Sequence, residues 1–62
     1  MIVEVTVALH RYTDKAYFVS DDGNQKKAVW IPISQIEAER DLGKGMYELS
    51  IPEWLAYDKG LI

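Results

Sequence analysis

Sixty-two residues make one domain at most, and a chain this short buries only about 60% of its unfolded surface. With no cysteine and a single histidine, His10, it has no disulfide, no thiolate metal site and no histidine-built zinc site of its own. Seven Lys and Arg against ten Asp and Glu give a net charge of -3. That is an ordinary polar surface, not the basic footprint of a general nucleic-acid binder. Apolar residues make up 48% of the chain, enough for a packed core and too many for disorder.

The first expected element is a strand over residues 2–10. Val3, Val5, Val7 and Leu9 alternate with Glu4, Thr6, Ala8 and His10, the period of two that marks a half-buried strand. Met1 enters this run with no basic segment before it, so no signal peptide is expected. No stretch approaches the ~20 apolar residues of a membrane span. The expectation is a complete cytoplasmic chain that does not engage a membrane. Arg11-Tyr12-Thr13-Asp14 supplies a turn.

Residues 15–20 and 26–31 read as a hairpin around Asp21-Asp22-Gly23-Asn24. Asp-Gly and Gly-Asn both suit two-residue primed turns. Either turn puts Ala16, Phe18, Val29 and Ile31 on one face, which is assigned to the core. Tyr17, Val19, Ala28 and Trp30 then share the other face with Lys15 and Lys26. Aromatic side chains beside cations suit protein interfaces and also single-stranded nucleic acid. Tyr17, Val19, Trp30, Lys15 and Lys26 are therefore the candidate binding residues. A fully structural role, with this face covered by the C-terminal segment, stands beside both.

Pro32 ends the third strand or confines it to an edge. Ser34-Gln35-Ile36-Glu37 fits a capping box that starts one helical turn. Residues 36–40 continue that turn or form a short strand, and Asp41-Leu42-Gly43-Lys44-Gly45 reads as a loop. Met46 to Ile51 is the last strand, with Tyr47, Leu49 and Ile51 on one side. Pro52 then opens a short helix as its first residue. Gly60 is its left-handed stop, after which Leu61 folds back toward Leu55 or Ala56. Trp54 and Leu55 are expected to hold this helix on the sheet. The expected fold is mostly β (α+β): a curled antiparallel sheet, or an SH3-like or OB-like small barrel, of four to five strands with a short C-terminal helix.

No catalytic constellation emerges. His10 reads as a surface or turn residue with no nucleophile beside it. Asp21 and Asp22 lack the twelve-residue frame of a calcium loop. Gly43-Lys44-Gly45 is not a phosphate loop. No cofactor and no metal are expected.

Trp30-Ile31-Pro32-x-Ser34-Gln35-Ile36 and Ile51-Pro52-Glu53-Trp54-Leu55-Ala56-x-x-Lys59-Gly60-Leu61-Ile62 resemble segments of short, mostly uncharacterised bacteriophage and prophage proteins. The resemblance covers about residues 15–62. It implies an accessory factor near phage replication or recombination, in the host cytoplasm. The function expected is non-catalytic binding of a protein partner or of a second copy. Single-stranded nucleic-acid binding by a small barrel is the alternative.

Overall fold

The computed structural model describes residues 1–62. Its strands are β1 (Ile2–Tyr12), β2 (Ala16–Ser20), β3 (Val29–Pro32), β4 (Ala38–Gly43) and β5 (Met46–Pro52). A helix, α1 (Glu53–Asp58), follows, and Gln25–Lys27 and Ile33–Gln35 each form a single 3₁₀ turn. The strands make one antiparallel sheet in the order β3-β2-β1-β5-β4. β3 and β4 do not pair, so the sheet is curled but unclosed. No helix is long and apolar enough to cross a membrane.

β1 is the spine of the sheet because it is long enough to pair on both sides. Its alternation sends Val5 and Val7 into the core, with Val3 and Leu9 packed against it. β5 contributes Leu49 and Ile51 from the expected side. Val19 of β2, Ile31 of β3, and Leu55 and Ala56 of α1 complete the buried set. Ile36 and Leu61 pack on its margin.

The β2–β3 connection departs from the expected hairpin. The second strand begins at Val29 rather than residue 26, because Gln25–Lys27 coil into a 3₁₀ turn. Local polar chemistry drives this. Asp22 accepts from the Asn24 N–H at 2.9 Å, and Asn24 accepts from the Lys26 N–H at 3.0 Å. These Asx-type bonds outcompete a two-residue turn. The resulting register pairs Tyr17 with Ile31, Phe18 with Trp30 and Val19 with Val29. It is one residue away from the Gly23-Asn24 turn register and three from the Asp22-Gly23 one, and an odd shift reverses the faces of one strand against the other.

Residues 38–43 form a strand, the second of the two outcomes open for 36–40, and it runs on through Asp41, Leu42 and Gly43, residues expected in a loop. The tight turn lies beyond it at Lys44-Gly45, where both residues have positive φ, 58° and 80°. That is the primed hairpin conformation. Gly43 and Met46 flank it as a pair. The Ser34–Glu37 capping box does not form. Pro32 is the N-cap of the Ile33–Gln35 turn, with no side-chain bond, and the Glu37 N–H donates to the Ser50 carbonyl at 2.7 Å.

At the C-terminus, Pro52 is extended and precedes the helix instead of opening it. Its pairing with Ile2 holds it in β5. The far end follows expectation. Gly60 has φ 72°, its N–H donates to the Tyr57 carbonyl at 3.2 Å, and the Leu61 N–H donates to Ala56 at 2.8 Å. This pair of bonds is the Schellman motif, which satisfies carbonyls the short helix leaves open. Trp54 does not anchor α1: it is 62% exposed, while Leu55 and Ala56 are buried.

Candidate functional site

The five candidate residues do not share a surface. Val19 is wholly buried in the core. Tyr17 lies on the same inner face, opposite Ile31. Only Trp30 lies on the outer face, where it is 42% exposed. Lys15 precedes β2, and its carbonyl accepts from the Ile33 N–H at 2.8 Å. Lys26 sits in the turn that enters β3 from the other end of the pair. The two lysines are therefore separated by the length of β2 and form no cationic cluster.

The outer face carries a different group. Register aligns Arg11 of β1 with Phe18 of β2, and Phe18 with Trp30 of β3. The Phe18 and Trp30 rings lie 4.8 Å apart between centroids, tilted by 34°. His10 meets Phe18 edge-on at 6.3 Å. These are the separations at which aromatic pairs attract beyond simple burial. A bulge between Leu9 and Arg11 makes this row. An extra residue in one strand re-aims the side chains that follow, so Arg11 stands opposite Phe18. Phe18, expected in the core, faces outward, and Arg11, expected in a turn, joins it. The apolar character of both faces of β2 hid the first. No local signal marks the bulge behind the second.

The same bulge brings His10 Nε2 within 2.7 Å of Ser20 Oγ, a nucleophile–base distance at a histidine expected on the surface or in a turn. Ser20 is only 1% exposed, and no hydrogen bond orients the second ring nitrogen of His10. A substrate has no route to the hydroxyl. The pair instead satisfies a buried polar group, and no buried side-chain nitrogen or oxygen is left without a partner.

A shallow groove crosses β1, β5 and β4 between Glu4, Ala38, Glu39, Arg40, Glu48 and Ser50. Ala38 and Ser50 are paired and small, which lowers its floor. Arg40 and Glu48 form an ion pair at 3.0 Å. Asp, Glu and His side chains nowhere gather in a group able to hold a metal ion.

On the inner face, the Tyr17 hydroxyl donates to the Glu39 carboxylate at 2.8 and 2.9 Å. That bond, with burial and the nearby negative charge, pushes the Tyr17 pKa above its ordinary value. The carboxylate holds the phenolic proton, and a phenolate beside it would be repelled.

No family model matches this chain, and neither a search of curated proteins nor one of solved structures returned a match.

Proposed function

We propose that this chain is a non-catalytic binding module that docks another protein through its outer row of Arg11, Phe18 and Trp30. The observation that carries the reading is the half-exposed Trp30 ring, held against Phe18 at 4.8 Å on the face opposite the core. Trp and Arg are the residues on which interface energy concentrates. A Trp already fixed by stacking loses little side-chain freedom on binding. The resemblance of the Trp30–Ile36 and Ile51–Ile62 segments to phage and prophage proteins supports reading this chain as a phage accessory factor acting in the host cytoplasm.

A photo-crosslinking residue at position 30, introduced in cells, tests the reading. A discrete protein adduct that Phe18→Ala abolishes supports it. An adduct with this chain itself identifies the partner as a second copy. Adducts that Phe18→Ala does not change remove it.

Single-stranded nucleic acid is the second reading, favoured by one observation: Arg11 pairs in register with Phe18, whose ring lies 4.8 Å from that of Trp30. Bases stack on such rings and phosphates meet the cation. Titration with a mixed-sequence oligonucleotide at low salt separates the two. Shifts at Phe18 and Trp30 that fade as salt rises support nucleic acid, and their absence leaves the protein partner.

A further inference from the structure

The unclosed sheet has two edges, and they differ. The Leu9 N–H bonds the Gly45 carbonyl and the Glu53 N–H bonds the Met1 carbonyl, both in the β1–β5 register. Antiparallel bonding alternates along a strand, so Tyr47, Leu49 and Ile51 turn their backbone toward β1. Glu48 and Ser50 therefore turn toward β4, where they meet Arg40 and Ala38. The Ser50 carbonyl accepting from Glu37 agrees with this. Glu39 and Asp41 are left with their N–H and C=O groups directed away from the sheet. By the same alternation, the Ile33–Lys15 bond turns the backbone of Trp30 outward on β3. β3, however, is only four residues long and ends in Pro32. β4 is six residues, all exposed, with no proline.

We propose that the β4 edge is a docking site for an extended segment of another protein, one that alternates basic and apolar residues and adds as a sixth strand. The charge pattern selects this occupant. Glu39, which also accepts from Tyr17, and Asp41 lie on the inner side of β4, the outer side carries Ala38 and an Arg40 already paired with Glu48, and Leu42 falls in the register shift that follows Asp41. An added strand places alternate side chains beside each set. Basic residues on its inner side meet Glu39 and Asp41, and apolar ones on its outer side meet the exposed Ala38. A second copy is a poor occupant. Two-fold antiparallel pairing keeps like faces together, so a register centred on β4 sets Glu39 against Glu39, Arg40 against Arg40, or Asp41 against Asp41. Like charges directly opposite destabilise a pair. The site is independent of the Arg11–Phe18–Trp30 row.

The test is an NMR titration with a short acetylated peptide alternating lysine and valine. Saturable shifts centred on the Glu39 and Asp41 amides support the proposal. Asp41→Pro removes an outward N–H and the Gly43 N–H bond to the Asp41 carboxylate but no bond of the β4–β5 ladder, so it abolishes those shifts while a melting curve reports the fold. Asp41→Lys weakens binding about tenfold through charge and decides the matter if the proline variant unfolds. A peptide in which proline replaces valine keeps the charge and does not bind. Shifts away from β4, or equal binding of the proline peptide, overturn the proposal.

Discussion

Tyr17 on β2 hydrogen-bonds Glu39 on β4, although β1 and β5 lie between them in the sheet. On a flat sheet the two strands are about 14 Å apart and their side chains stand parallel. The contact exists because the sheet curls, and it fastens the curl on the side that strand pairing leaves open. Tyr17→Phe removes the bond and keeps the ring. It lowers stability by about 1 kcal/mol, read from denaturant midpoints at unchanged slope.

The raised pKa of Tyr17 makes this bond a source of pH dependence. The folded state holds the phenolic proton more tightly than the unfolded chain does, against an ordinary value of 10.0. Its contribution is fully present below that pH and is lost as pH rises through the raised folded value. Glu39→Gln removes the charge that opposes phenolate formation. The Tyr17 phenol, isolated by ultraviolet difference titration against Tyr17→Phe, then moves down toward the ordinary value. A titration curve identical to the parent's would show that Glu39 does not set it.

The β2–β3 register separates Ile31 from its neighbour Trp30 in consequence as well as in place. Ile31 is wholly buried and Trp30 half-exposed. Ile31→Ala should cost about 2–5 kcal/mol, the range for a core cavity. Trp30→Ala should cost about 1 kcal/mol, mainly the lost contact with Phe18. Comparable melting losses for the two variants would contradict the register.

Gly60 and Lys44 both occupy the left-handed region, and only one of them is a glycine. A Cβ at Gly60 would meet nothing within 4 Å, so the cost of Gly60→Ala is conformational, about 1–2 kcal/mol. Lys44→Asn converts the turn to Asn-Gly, the favoured pair for this conformation. It should stabilise by up to about 1 kcal/mol. Thermal melts should move in opposite directions for the two variants.

Ser20→Ala leaves His10 Nε2 without its partner at a part-buried position. A loss of about 1–2 kcal/mol is expected. No change in the melting temperature would mean that solvent replaces the hydroxyl freely.

Much of the architecture was legible because it depends on local pattern. The alternation in β1 and β5 named Val3, Val5, Val7, Leu9, Leu49 and Ile51 as inward residues, since a half-buried strand has only one apolar side. Gly60 announced the helix stop because few other residues tolerate its φ. The candidate site was not legible in this way. β2 is apolar on both faces, so its orientation rested on the length of the loop before β3, and Asx bonds at Asp22 and Asn24 changed that length.

The sequence by itself determined the strand-rich composition, the inward sides of β1 and β5, and the glycine-stopped helix. Each follows from side-chain period or backbone freedom within a few residues. Tertiary structure alone decided that Val19 is core and Phe18 is not, that Arg11 joins Phe18 and Trp30 through a bulge, that Trp54 stays in solvent, and that Tyr17 reaches Glu39. These depend on register and curl, which are properties of pairs of strands distant in the chain. A one-residue change in either moves a side chain from one face of the sheet to the other.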